Sequence, residues 1–132
     1  MSLAPQLEQI SVDPNKLYLD PNNPRLFSKE CERVPLENIK DPGVQESTGK
    51  KIFGAKDKFS IKDLVEAILT NGYIPEAGGF MFVRSLADTD CYLVLEGNRR
   101  LTAIRTILLD EGKHKKDYPA ALKSLEEIDV LE

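Results

Sequence analysis

Leu93-Val94-Leu95-Glu96-Gly97-Asn98-Arg99-Arg100-Leu101-Thr102-Ala103-Ile104 joins an apolar run to a helical pattern through a carboxylate, a glycine and two adjacent arginines. The run predicts a strand, and Gly97 falls in the strand-to-helix turn. Asn98, Arg99 and Arg100 then occupy the first helical turn, where amides lack intrahelical partners and the helix dipole is positive. Amide donors beside two guanidinium groups suit a phosphate or another multiply charged anion. Leu101, Ile104, Ile107 and Leu108 form the buried stripe of a helix over 98–111, stopped by Glu111-Gly112. At about 100° per residue, Asn98, Arg99 and Thr102 are expected to point away from that stripe, with Arg100 nearer the core edge.

Upstream of the turn, Phe80-Met81-Phe82-Val83 and Cys91 to Leu95 read as a hairpin around Ala87-Asp88-Thr89-Asp90. Ser60-Ile61-Lys62-Asp63 resembles a capping box, and Ile61, Leu64, Val65 and Ile68 share one helical face. Asn71-Gly72 stops that helix, because glycine takes the left-handed conformation at the C-cap without strain. Leu17-Tyr18-Leu19 predicts a first strand, and Asp20-Pro21-Asn22-Asn23-Pro24 breaks it before Arg25. Residues 28–58 are polar and mixed. Within them Asp41 as N-cap and Pro42 at the first helical position start a helix to about Lys51. A short helix over Pro119 to Leu125 and a last strand from Ile128 complete the pattern. The sum is an α+β domain, a small mixed β-sheet flanked by helices.

The 132 residues fit one domain, and the net charge of −4 argues against a surface coated in basic residues for non-specific DNA binding. It leaves room for a local basic pocket, since distribution matters more than the sum. Cys91 opens a strand and is expected in the core, while Cys31 lies in a polar stretch. Two cysteines fit a reduced, cytoplasmic setting. No apolar run has the roughly 20 residues that cross a bilayer, so no membrane partner is expected. No metal-ligand spacing occurs, and His114, the sole histidine, reads as a solvated residue among Lys113, Lys115 and Lys116 at a helix end. Residues 1–14 read as an N-terminal extension, with 1–3 a tag remnant, and 15–132 as the domain. Ile128 to Glu132 looks like a truncated strand, which suggests a piece of a longer protein.

The order of these pieces carries a resemblance. Asn23-Pro24-Arg25, a helix ending in Asn71-Gly72-Tyr73-Ile74-Pro75, and a hairpin closing on Gly97-Asn98-Arg99-Arg100-Leu101-Thr102-Ala103 resemble the N-terminal domain of the ParB/sulfiredoxin superfamily. The match spans roughly residues 15–131, with 28–58 as a family-variable insertion. The resemblance implies a pocket for a nucleoside triphosphate (CTP or ATP) with Mg²⁺, in a DNA-associated protein of partition, regulation or defence. Gly97, Asn98, Arg99 and Arg100 would hold phosphate, Asn23 and Arg25 would reach in from their loop, and Gly72 to Pro75 would line the base or ribose side. DNA contacts would come from regions outside this chain.

Departures from the family pattern narrow the activity. The usual glutamate between Gly and Arg is Asn98, against triphosphate hydrolysis of the ParB kind. Sulfiredoxin places its reactive cysteine at that same position, so its repair chemistry is not expected. The free serine kinase branch shares Glu96 and Arg100 but not its histidines. A nuclease or small-molecule phosphotransferase is the enzymatic alternative, with Glu96 as base or Mg²⁺ ligand. A structural salt bridge from Glu96 to Arg25 or Arg100 accounts for that carboxylate equally well.

Overall fold

The computed structural model describes residues 8–22, 36–53, 61–74, 80–86 and 89–132. Strands β1 (Gln9–Val12), β2 (Leu17–Tyr18), β3 (Phe82–Ser85), β4 (Tyr92–Glu96) and β5 (Ile128–Leu131) form one sheet in the order β1-β5-β3-β4-β2. The β3/β4 hairpin and the β1/β5 pair are antiparallel, whereas β5/β3 and β4/β2 are parallel. Helices α1 (Pro42–Phe53), α2 (Ile61–Asn71), α3 (Asn98–Leu109), α4 (Glu111–Asp117) and α5 (Pro119–Ser124) complete the described elements. The expected α+β class with a small mixed sheet and flanking helices is what the chain adopts.

Alternation along β4 divides the core. Val94 faces the helices with Val83, Ile128 and Val130, and meets Leu101, Ile104 and Ile107 of α3. Leu93 faces the opposite side with Ile39, Leu86, Cys91 and Tyr18 in a smaller cluster. Cys91 is thus a core residue, as its position in the sequence implied. Cys31 lies outside the described residues. Helix α3 is the central helix: Leu101, Ala103, Ile104 and Ile107 are fully buried, and both α1 and α2 pack on it. Burial of each large aliphatic side chain stabilises the fold by about 1.5–3 kcal/mol relative to exposure.

Local signals place several boundaries. Asp41 Oδ1 accepts the amides of Gly43 and Val44 at 2.8 and 3.4 Å, the expected N-cap of α1. Gly72 has φ 79° and donates to the Ile68 carbonyl at 2.7 Å, closing α2 as predicted. The proposed cap at Ser60 lies outside the described residues.

Other expectations need correction. Gln9–Val12 is not an extension but an edge strand, paired antiparallel to β5 through Ile10↔Val130 and its neighbours. Residues 36–53, within the stretch read as a variable insertion, pack onto the domain: Ile39 and Ile52 are buried, and α1 rests on α3. Their polar composition misleads because one buried face suffices to dock a helix. Strand β3 runs two residues later than the sequence predicts, since Met81 is fully buried beneath Gly97 ahead of the ladder. Helix α3 stops at Leu109, where the Asp110 amide turns back to Ile107 and Leu108, and Gly112 sits inside α4 rather than ending α3.

Candidate anion site at the start of helix α3

Gly97 is the N-cap of α3 with φ 107° and ψ 17°, a left-handed conformation that side-chain-bearing residues rarely adopt. A Cβ there would lie 2.4 Å from Met81 Cγ and 3.3 Å from its Cα, so the approach itself demands glycine. Met81 is anchored, because its carbonyl accepts the Leu131 amide at 2.9 Å. The sharp turn follows: β4 runs directly into α3, and the Leu101 amide reaches back to the Gly97 carbonyl at 3.0 Å. Glycine offers no side chain to cap the first amides of α3.

Asn98 was expected among the anion ligands, pointing outward. The structure buries it at 3% exposure and commits its amide on both sides. Its Nδ2 donates to the Val94 carbonyl at 2.9 Å, and its Oδ1 accepts the Asp20 amide at 2.8 Å. Thr102 is buried as well, its hydroxyl donating to the Asn98 carbonyl at 2.9 Å. The correction has a simple cause. Helix α3 is covered on its polar face too, by the segment following β2 and by α1, so polar side chains there satisfy internal groups.

Arg99 and Arg100 are half-buried, and each already interacts with another group of the protein. Glu96, the last residue of β4, is exposed and opposes Phe82 across the hairpin. Asn23, Arg25 and Pro75 lie outside the described residues. Gly72 lines an open groove of about 530 Å³ between the end of α2 and α5, with Tyr73, Ile74, Tyr118, Ala121 and Ser124. No residue of the Glu96–Arg100 turn lines that groove. The structure therefore unites Gly97, Arg99 and Arg100 with exposed Glu96, assigns Asn98 to the scaffold, and leaves Gly72 in a separate concavity.

Sequence reasoning missed three polar residues that serve the covered face of α3: Asp20, Gln45 and Arg105. Asp20 presents its backbone amide to Asn98, and its Oδ1 accepts the Asn22 amide at 2.9 Å. Arg105 donates from Nη1 to Gln45 Oε1 at 2.9 Å and from Nη2 to the Leu17 carbonyl at 2.8 Å. Burial pushes the Arg105 guanidinium below its ordinary range, an effect opposed by Tyr18, whose ring centroid lies 5.7 Å from Cζ. Asn98, Thr102 and Arg105 recur at intervals of four and three, a second helical face that was the available signal.

Among the described residues no group of three or more His, Cys, Asp or Glu side chains is placed to hold a metal ion, and no helix is long and apolar enough to cross a membrane. No protein-family model, curated protein or solved structure matches this chain.

Proposed function

We propose that the Gly97 turn and the start of α3 bind the phosphates of a nucleotide, in a ParB-like domain of a DNA-associated protein. The observation that carries this reading is the division of labour in one helical turn. Gly97 leaves the first amides without a side-chain cap, Asn98 is turned inward, and the two remaining side chains are arginines. Amide donors, a positive helix end and guanidinium forks all favour a multiply charged oxyanion. The resemblance of the Gly97–Ala103 run to ParB-type domains supplies the nucleoside triphosphate as ligand class. Mg²⁺ would enter with the phosphates, whose oxygens suit a hard cation, and Glu96 at the rim offers one further oxygen donor.

Calorimetric titration of the folded protein with each of the four ribonucleoside triphosphates and Mg²⁺ tests the proposal. Binding of at least one, weakened in Arg99→Gln and Arg100→Gln, is expected. Absence of heat with all four rejects it.

A further inference from the structure

Helix α1 is attached in an unusual way. Its described buried side chains are Gln45, Thr48 and Ile52, one face at helical spacing, and two of the three are polar. Thr48 spends its hydroxyl on the Val44 carbonyl within the helix at 2.8 Å. Gln45 therefore makes the polar attachment. Its Nε2 donates to the carbonyls of Leu19 at 2.9 Å and Ile39 at 2.8 Å, and its Oε1 accepts the Leu19 amide and Arg105 Nη1, both at 2.9 Å. One buried amide thereby uses its full capacity of two donors and two acceptors.

The partner segment depends on the same contacts. Strand β2 pairs with β4 only through Leu17 and Tyr18. Beyond that short ladder, both backbone groups of Leu19 go to Gln45, and the Asp20 amide goes to Asn98. Leu19 is fully buried, and its Cδ1 lies 3.7 Å from where a Cβ on Gly49 would sit, an ordinary contact distance that places α1 directly over it. By contrast α3 is held by fully buried Leu101, Ala103, Ile104 and Ile107.

We propose that α1 opens locally from the Leu19–Asn22 segment and from Arg105, with Gln45 as the latch between them. Opening breaks the hydrogen bonds of Gln45 to Leu19 and Arg105 and uncovers Leu19, while the α2–α3 layer and the β3/β4 hairpin stay closed. A helix whose described buried face carries two polar side chains and one apolar one has less apolar burial to hold it than α3, and local opening draws on such elements. Because Asp20 is tied to Asn98 in the first turn of α3, opening also loosens the wall of the anion corner. That last link rests on the function proposed above; the opening itself does not.

Native-state hydrogen exchange on the full chain tests the proposal. In the wild type, amides of α1 and Leu19 should share one opening equilibrium that is at least tenfold more populated than that of α3 amides. In Gln45→Met, which keeps length and apolar bulk, those amides should exchange at least tenfold faster with α3 and β4 unchanged. Exchange of α1 only through global unfolding in the wild type overturns the proposal. So does uniform loss of protection in the variant, or α1 protection equal to wild type. Should Gln45→Met fail to fold, the wild-type comparison alone decides. A protein that shows the local opening yet binds no triphosphate would leave the latch standing and remove the nucleotide reading.

Discussion

Gly97 and Met81 approach so closely that a Cβ added at Gly97 would lie 2.4 Å from Met81 Cγ, so any side chain at the strand-to-helix turn forces Met81 to shift. Two penalties combine there, the left-handed backbone and the overlap with a fully buried, hydrogen-bonded Met81. Gly97→Ala is expected to destabilise the fold by about 2–5 kcal/mol, from backbone strain of about 1–2 and overpacking of about 1–3. Urea unfolding measures it.

Gly72 supplies the control. Its φ of 79° carries a similar backbone demand, but the nearest atom to an added Cβ is Ser124 Oγ at 3.6 Å, an ordinary contact. Gly72→Ala should cost only about 1–2 kcal/mol, the backbone component alone. Equal losses in the two variants would show that the Met81 contact relaxes freely.

These glycines were legible because the demand they answer is local: a helix end or a tight turn needs a left-handed residue whatever surrounds it. Asp41 and Pro42 at the start of α1 belong to the same class, and so do the apolar stripes of α2 and α3. The role of Asn98 was not legible in this way. Whether an asparagine in a first helical turn meets solvent, an anion or a backbone amide depends on what covers that face. Here the cover is Asp20, 78 positions earlier in the chain. Gln45 and Arg105 were missed for the same reason: their partners come from Leu17 and Leu19, and polar composition alone reads as surface. The edge strand Gln9–Val12 escaped because the alternation of apolar residues from Ile10 to Leu19 runs on through the turn at Asp13. Four residues with one buried side chain do not mark a strand of their own.

Lys16 and Asp90 form an exposed ion pair at 2.8 Å between the turn before β2 and the hairpin connection. The hydrogen bond and charge of Lys16 hold the Asp90 carboxyl below its usual value of 3.8, and Asp90 in the same way raises Lys16 above 10.5. The carboxylate contribution is therefore present above the unfolded aspartate value and lost as pH falls through the lower folded one. The lysine contribution is present below its unfolded value and lost as pH rises through the higher folded one. Carbon-detected NMR titration should place the Asp90 midpoint below that of an ordinary aspartate. It should return upward in Lys16→Met and in molar salt, where exposed pairs are screened.

Asn98 gives the sharpest separation between scaffold and ligand roles. If its amide served the anion directly, Asn98→Ala would weaken phosphate binding and leave the folded state nearly as stable as before. The observed bonds imply the reverse order of effects. Removing the amide strands the buried Val94 carbonyl, at about 1–3 kcal/mol, and the partly buried Asp20 amide, at the lower end of that range. Asn98→Ala is thus expected to lose about 2–4 kcal/mol in denaturant unfolding, with or without phosphate present. Arg99→Gln and Arg100→Gln change half-buried groups and should shift stability far less while reducing triphosphate affinity about tenfold or more, the scale of one charge-assisted contact. An Asn98→Ala protein of unchanged stability would contradict the inward orientation of that side chain, and with it the assignment of the arginines alone to the ligand.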